Sequence, residues 1–295
     1  MRVFVSGATG FIGSRVVKEL IAAGHQVIGV YRSEEKAPAL AAAGAEAYRG
    51  SIDDPDSLRD GAARSDGVIH LAFNHDFSKV AANCENDRRV IETLGAALSG
   101  SDRPLVVTSV IPLVQGRPAR EDGAIVSPAV NPRAAGEEAV AALAADGVNV
   151  SVVRLPQVHD TARQGLVTYL SAIFREKGEC AYVGDGLNRW PAAHVLDVAR
   201  LHRLALERAE QNAKYHAVAE EGVPLRDIAS AAARRLKLPV KSIRPEQAQA
   251  FFGWLAMFAG LDMPASATQT RKKLGWEPTG PGLIADIEQP VLLPL

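Results

Sequence analysis

Residues 3–13 read Val3-Phe4-Val5-Ser6-Gly7-Ala8-Thr9-Gly10-Phe11-Ile12-Gly13, and this stretch decides the fold of the amino-terminal half. An apolar run precedes three glycines at G-x-x-G-x-x-G spacing, and an amphipathic helical pattern follows. The first glycine permits a tight turn, the second lets the backbone approach a pyrophosphate, and the third lets the helix pack close to the strand. The first turn of that helix would offer free N–H groups to phosphates. A glycine-rich turn without a ligand is the alternative. The stretch predicts dinucleotide contacts at Gly7, Thr9, Gly10, Phe11, Ile12 and Gly13.

Short apolar runs alternate with helical patterns through the first 155 residues. The runs are rich in Val and Ile and apolar on both faces, which is typical of parallel strands covered by helices. We expect strands at 2–6, 26–31, 45–49, 67–73, 105–109 and 149–155. We expect helices at 12–23, 34–43, 57–63, 78–98 and 133–145. This repeated β-α-β order predicts an α/β fold with a doubly wound parallel sheet, the Rossmann architecture, over residues 1–155.

The pattern is looser beyond residue 156, where we expect a smaller substrate-binding region over 156–295. Helices are predicted at 164–176, 197–209, 225–236 and 246–258, with Asp197 as the N-cap of the second. Residues 180–190 are expected to form a glycine-rich loop or a short strand, and residues 215–219 a strand. Segments near residues 190–219 are candidates to pack back onto the sheet.

The composition excludes several classes of protein. With 33 basic and 34 acidic side chains, the charge balance argues against a nucleic-acid binder or a polybasic membrane-surface protein. Two cysteines without a Cys/His cluster give neither a disulfide framework nor a metal site. No signal-peptide pattern and no membrane-spanning apolar run is visible, so we expect a cytoplasmic protein that acts on a small molecule. Helices of a doubly wound sheet can pair between subunits, so a homodimer is compatible with the pattern, which does not require it.

The end of the second strand bears on the choice of cofactor. A carboxylate there would bind the ribose 2′-OH of NAD, whereas an arginine would pair with the 2′-phosphate of NADP. The sequence reads Tyr31-Arg32-Ser33, and its first acid is Glu34. We therefore expect NADP(H) rather than NAD(H), with Arg32 and Ser33 at the phosphate. The alternative is that Arg32 is a solvated surface residue.

The chain resembles the extended or atypical short-chain dehydrogenase/reductases, a superfamily that includes NAD(P)-dependent epimerases, dehydratases and dihydroflavonol-type reductases. The resemblance extends over nearly the whole chain and rests on the glycine stretch with GSIDDPDSL at 50–58, VIHLAF at 68–73, VVTS at 106–109 and VRLPQVH at 153–159. It implies that Ser51 and Ile52 flank the adenine, with Ser51 in place of the usual aspartate. The further cofactor contacts that it implies are Leu71, Ala72, Phe73, Thr108, Pro156 and Val158, the last two beside the nicotinamide.

The same resemblance implies a catalytic Tyr-x-x-x-Lys pair, which the sequence lacks. No tyrosine occurs in residues 49–168 and no lysine in residues 80–176. The helix predicted at 133–145 carries Arg133 and Glu137 at the same spacing. Arginine can hydrogen-bond an oxyanion, but it is a poor proton donor because it stays protonated. The alternative is that these two residues form an ion pair on the helix surface.

The candidates for the missing chemistry are His75, Ser109 and Arg133. The polar run Asn74-His75-Asp76 follows the fourth strand, at the sheet edge where the cofactor crevice forms. Imidazole titrates near neutrality, so His75 is the first candidate for the proton donor. The alternative for His75 is that it is only a polar residue of the loop. Ser109 either hydrogen-bonds the substrate or simply ends a strand.

These observations predict an NADPH-dependent oxidoreductase that reduces a small, apolar carbonyl compound or activated alkene with a non-standard proton donor. Hydride transfer is the cofactor's own chemistry, so the protein has only to orient it and to stabilise the developing charge. The alternative is a non-catalytic NADP(H)-binding sensor or regulator on the same fold, for which the missing tyrosine and lysine would be the explanation.

Overall fold

The computed structural model describes residues 1–114, 116–123, 127–129 and 131–289. Its strands are β1 (Arg2–Ser6), β2 (Gln26–Tyr31), β3 (Glu46–Arg49), β4 (Gly67–His70), β5 (Leu105–Val110), β6 (Val150–Leu155), β7 (Gln157–His159), β8 (Cys180–Val183), β9 (Arg189–His194), β10 (Lys214–His216), β11 (Glu220–Pro224) and β12 (Val240–Ile243). Its helices are α1 (Gly13–Ala22), α2 (Ala37–Ala42), α3 (Asp56–Ala63), α4 (Val80–Leu98), α5 (Ala134–Ala145), α6 (Leu166–Lys177), α7 (Val195–Arg208), α8 (Leu225–Leu236), α9 (Ala248–Phe252), α10 (Ala256–Gly260), α11 (Thr268–Leu274) and α12 (Leu283–Glu288).

A parallel sheet organises the amino-terminal half. Among the described residues it has seven strands, in the order β10-β6-β5-β4-β1-β2-β3. The chain runs outward from β1 to β3 and then crosses to β4 on the other side of β1. The strand order therefore reverses between β1 and β4, and in such sheets ligands bind in the crevice beyond the carboxyl ends of these strands. The predicted doubly wound α/β fold is confirmed.

Helices cover both faces of this sheet, because its strands are apolar on both sides. Val3 and Val5 of β1 pack in one core with residues of α1 and α7. Phe4, between them, points to the opposite face and packs in a second core with residues of α3, α4 and α5. All three side chains are fully buried.

The remaining chain contributes to two parts of the molecule. Helix α7 packs against α1, and β10 pairs in parallel with β6, so residues 195–216 complete the large sheet. In the described ranges, β7, β9 and β11 form a separate three-stranded sheet, and β8 pairs with β12. Apolar side chains of β8, β9, β11 and β12 share a third core with α6, α8, α9, α10 and α12.

Several element boundaries differ from the sequence prediction, and two of these differences have a clear local cause. Strand β4 ends at His70 rather than at residue 73, because the N–H groups of Leu71 and Ala72 turn toward the side chain of Ser6. The helix predicted at 246–258 is divided into α9, a 3₁₀ turn and α10, since Gly253 adopts a φ of +56° that ends the first helix.

The predicted N-cap of α7 is wrong. His194 occupies that position, and its ring nitrogen Nδ1 accepts a hydrogen bond from the Leu196 N–H. Asp197 lies inside the helix instead. Its carboxylate accepts hydrogen bonds from the backbone N–H groups of Thr279 and Gly280, so it ties the carboxyl-terminal segment to α7.

Candidate cofactor crevice and active site

The glycine turn between β1 and α1 is closely packed. Gly7 has a φ of +69°, and a Cβ atom there would lie 2.8 Å from the Ala72 backbone nitrogen. A Cβ at Gly13 would lie 2.0 Å from the Gly7 carbonyl oxygen. A Cβ at Gly10 would meet only that oxygen, at 3.2 Å, so this glycine faces open space. No side chain caps the start of α1. An open glycine beside uncapped N–H groups fits a pyrophosphate.

Two arginines lie beside Phe11 in this turn. The guanidinium carbons of Arg15 and Arg163 are 5.1 Å and 5.9 Å from the Phe11 ring centroid. Asp160 joins them, because it accepts hydrogen bonds from Arg15 Nη2 at 3.0 Å and from the Arg163 N–H at 2.9 Å. Positive charge therefore flanks the turn. Sequence reasoning missed this contact, since residues 160–163 reach α1 only through the fold.

The predicted phosphate residues follow β2. The side chain of Arg32 is 76% exposed, and its Nη1 lies 3.9 Å from Asp53 Oδ2. Ser33 is half-buried and begins a short 3₁₀ turn without capping it. The carboxylate of Asp53 was not foreseen at this position, because it comes from the loop after β3. An exposed pair of this kind is weak, so a phosphate can displace the carboxylate at little cost.

The predicted adenine residues lie in that same loop. Ser51 Oγ accepts a hydrogen bond from the Asp53 N–H at 3.1 Å. Asn86 of α4 donates to the Ile52 carbonyl at 2.7 Å, so this loop is fixed to the helix layer. Residues 51–53 therefore stand beside Arg32 at the end of the sheet where an adenosine would lie.

The remaining predicted contacts lie at the carboxyl ends of β4, β5 and β6. Leu71 and Ala72 follow β4 and adjoin the glycine turn. Thr108 donates its hydroxyl to Nε2 of His202 at 3.1 Å, so that hydroxyl is engaged by α7. Pro156 and Val158 lie in the stretch that joins β6 to β7, and Val158 is buried.

Arg133, Phe73 and His75 form a cluster at the crevice. The guanidinium carbon of Arg133 lies 3.8 Å from the Phe73 ring centroid. The His75 ring meets the Phe73 ring edge to face, with centroids 5.3 Å apart. Burial and the nearby Arg133 charge hold the pKa of His75 below its usual 6.5. Ser109 lines a small cavity together with Arg133, whereas His75 does not line that cavity and is linked to Arg133 through Phe73.

The alternative of an exposed Arg133–Glu137 pair is wrong. Arg133 precedes α5 and pairs with Asp87 of α4, with 3.4 Å between Nη1 and Oδ2. Glu137 is buried and accepts two hydrogen bonds from Arg154, at 2.9 Å and 2.6 Å. Sequence reasoning missed Arg154, although a charged residue inside an apolar strand requires a buried partner.

Arg154 also contacts His216 and favours its neutral form. Its Nη1 lies 3.3 Å from His216 Nε2, and His216 Nδ1 lies 2.9 Å from the Ser266 carbonyl. Burial, followed by the Arg154 charge, lowers the pKa of His216 to about 4. A neutral His216 can accept a hydrogen bond from Arg154 and donate one to the Ser266 carbonyl. Both contacts therefore form without protonation of His216 to imidazolium.

The described residues contain no group of three or more His, Cys, Asp or Glu side chains arranged to hold a metal ion. None of the described helices combines the length and the apolarity needed to cross a membrane.

A family model described as the NAD dependent epimerase/dehydratase family matches residues 3–219. The chain belongs to this family. The match runs from β1 through β10, so it includes the glycine turn, the strands of the large sheet and the Arg133 cluster. The resemblance drawn from the sequence motifs is confirmed.

Relatives agree with this assignment. The uncharacterized protein C2A9.02 of Schizosaccharomyces pombe is 44% identical over 97% of this chain and 98% of its own length. A UDP-glucose 4-epimerase of Streptomyces lividans is 28% identical over 93% of this chain and 91% of its own. The family and its members are NAD(P)-dependent epimerases, dehydratases and reductases, which supports an enzyme with NAD(P)-linked chemistry.

Solved structures share the fold. DesIV, a dTDP-glucose 4,6-dehydratase of Streptomyces venezuelae, is 18% identical and superposes with a TM-score of 0.77 over 97% of this chain and 96% of its own. That structure holds NAD. At this identity the likeness concerns the fold alone.

Proposed function

We propose that the protein is an NADPH-dependent reductase of a small, apolar carbonyl compound or activated alkene. The observation that carries this proposal is the Arg133 guanidinium stacked on Phe73 at the edge of the cofactor crevice. It sets a permanent positive charge beside His75, in a family whose chemistry depends on NAD(P).

The cofactor would lie along the carboxyl edge of the sheet. The glycine turn would hold its pyrophosphate, with Arg32 and Ser33 at the 2′-phosphate and residues 51–52 at the adenine. Residues 71–73, Thr108, Pro156 and Val158 would border its remaining length. When bound, NADPH supplies the hydride that reduces the carbonyl carbon or the activated alkene.

Arg133 would stabilise the negative charge that develops on the substrate oxygen. Its guanidinium carries several N–H donors, so the pairing with Asp87 leaves others for a substrate. The side chain is 18% exposed, and a charge in such a partly dry site acts more strongly than one in water. Ser109 lines the same cavity and would donate its hydroxyl to the same oxygen.

His75 would deliver the proton. Because its pKa is lowered, only a minor fraction is imidazolium at neutral pH, but that fraction is a strong acid. A proton passes from the imidazolium to the reduced oxygen, and water then reprotonates the ring. Val110, Pro112 and Ala134 form the apolar part of the cavity lining, beside the polar Ser109 and Arg133, and an apolar substrate would contact that part.

The test is NADPH oxidation, followed at 340 nm with a panel of ketones, aldehydes and enones. A UDP-sugar arm is read for epimerisation. Substrate-dependent NADPH consumption is expected with an apolar carbonyl or enone. Binding of NADPH without turnover on any member would favour a sensor or regulator, and epimerisation without net consumption would replace the reductase with an epimerase.

A further inference from the structure

A buried chain of hydrogen bonds leads from the glycine turn to Arg133. Ser6, at the end of β1, has its Oγ 2.6 Å from His70 Nδ1. His70 Nε2 lies 3.0 Å from Asp87 Oδ1, and Asp87 Oδ2 lies 3.4 Å from Arg133 Nη1. Ser6, His70 and Asp87 are all buried, so water competes little for these contacts. Neither His70 nor Asp87 faces the cavity that Ser109 and Arg133 line.

The direction of each bond follows from the donors available. The backbone N–H groups of Leu71 and Ala72 both donate to Ser6 Oγ, at 3.2 Å and 3.4 Å. The single hydroxyl proton of Ser6 is therefore left for His70 Nδ1. A histidine that accepts at Nδ1 carries its hydrogen on Nε2, which donates to Asp87. The second carboxylate oxygen then remains for the guanidinium.

The carboxylate of Asp87 has little room to turn. Helix α5 passes so close that a Cβ atom on Gly136 would lie 3.2 Å from Asp87 Oδ2. The backbone N–H of Arg133 is itself held by the side chain of Asn131, at 3.1 Å. The carboxylate and the base of the arginine are thus fixed independently, and the bond between them sets the direction of the guanidinium.

We propose that Asp87, held by His70, is a positioning residue that orients the Arg133 guanidinium over Phe73 for the proposed reduction. Its catalytic consequence rests on the proposed function, whereas the positioning itself does not. Breaking a buried ion pair is costly, which favours retention of the contact between Asp87 and Arg133. The same chain begins at backbone N–H groups that border the cofactor crevice.

A double-mutant cycle tests the catalytic consequence. Asp87→Asn preserves the size of the side chain, and we expect it to lower kcat, with little change in KM, by on the order of 10- to 100-fold. In an Arg133→Ala background the same change should alter kcat by less than about twofold, because the group it positions is absent. An equal loss in both backgrounds would overturn the inference. Glu92→Gln, which removes an exposed carboxylate from the same helix, is the matched control and should keep wild-type kcat.

The titration of His75, followed by NMR of its ring hydrogens, tests whether Asp87 is paired with Arg133 in solution, without any need for turnover. In Asp87→Asn we expect a lower midpoint than in wild type, since the Arg133 charge loses its neutralising partner. Arg133→Ala should raise the midpoint, because it removes the positive charge beside His75. The neighbouring charges Asp76 and Lys79 are unchanged in every variant, so they do not account for a difference between variants. An unmoved midpoint in folded Asp87→Asn would contradict the inference, and wild-type protein without turnover would contradict the proposed function alone.

Asp87→Glu separates charge from position. It keeps the carboxylate but lengthens the side chain, so we expect the wild-type His75 midpoint together with reduced kcat. Circular dichroism confirms folding. A folded Asp87→Glu variant with wild-type kcat would show that the direction of the guanidinium does not depend on this residue.

Discussion

The Arg133 guanidinium carbon lies 3.8 Å from the Phe73 ring centroid, although the two residues belong to segments far apart in the sequence. Phe73 follows β4, and Arg133 immediately precedes α5. Both segments reach the carboxyl edge of the sheet, where the cofactor crevice opens. A cation–π contact in a partly desolvated site contributes about 0.5–2 kcal/mol. It holds the guanidinium over the face of the ring.

Arg133→Lys is expected to lower turnover by about 10- to 100-fold while NADPH binding is unchanged. Lysine keeps the positive charge but loses the planar fork that stacks on Phe73 and pairs with Asp87. Steady-state kinetics and thermal-shift protection by NADPH measure the two effects separately. Arg59→Lys, at an exposed ion pair on α3, is the control. Wild-type turnover in Arg133→Lys would remove the arginine from the chemistry.

Arg32→Ala is expected to weaken NADPH binding by about tenfold or more and to leave NADH binding nearly unchanged, because only NADPH carries the 2′-phosphate. Asp53→Asn should strengthen NADPH binding, since it frees Arg32 from its carboxylate partner. Calorimetric titration with each nucleotide checks both variants. A similar loss of affinity for NADPH and NADH in Arg32→Ala would exclude a specific contact with the phosphate.

The pH dependence of turnover reports on His75. Because burial and Arg133 lower its pKa, we expect kcat to rise as the pH falls from 8 toward the range below 6.5. His75→Gln should flatten this profile and depress kcat. The profile is measured at saturating NADPH and substrate. A His75→Gln enzyme with an unaltered profile would mean that another group supplies the proton.

Stability should fall on acidification, partly because of His202. Its burial under the sheet lowers its pKa to about 4, whereas the unfolded chain titrates near 6.5. Below pH 6.5 the unfolded state binds the extra proton, so the free energy of unfolding falls by up to about 1.4 kcal/mol per pH unit until about pH 4.

Urea unfolding between pH 7 and pH 4.5 measures this slope. His202→Gln retains partners for Thr108 and the Val198 carbonyl, so we expect a folded variant with a shallower slope. In this variant the free energy of unfolding should still fall with decreasing pH, but less steeply, since the pKa of His216 is also about 4. A variant that loses stability with the wild-type slope would show that His202 does not contribute.

The glycine turn was predictable from sequence because its requirements are local. A positive φ at Gly7 and the close approach of Gly13 to the Gly7 carbonyl demand glycine whatever the rest of the chain does. Strand and helix order followed from apolar periodicity for the same reason. The N-cap of α7 was misplaced because His194 and Asp197 both offer acceptors, and the choice between them depends on the distant Gly280.

The partners of the charged residues were not predictable. Arg133 and Glu137 have the spacing of a helical ion pair, yet each finds a different partner once α4 and β6 pack beside them. Asp87 gave no signal in the sequence, since a carboxylate in a long helix is typical of a solvated face. Its burial depends on α5 lying against α4, which only the assembled fold reveals.

Calorimetric titration of NADPH into the wild-type protein and Gly10→Ala tests the central claim most directly. A Cβ at residue 10 meets only the Gly7 carbonyl, so the variant should fold, but it would fill the open side of the turn where a pyrophosphate would lie. We expect saturable NADPH binding to the wild type and at least about a tenfold loss of affinity in Gly10→Ala. No binding to the wild type at millimolar NADPH, or equal affinity in the two proteins, would contradict a dinucleotide site at this turn.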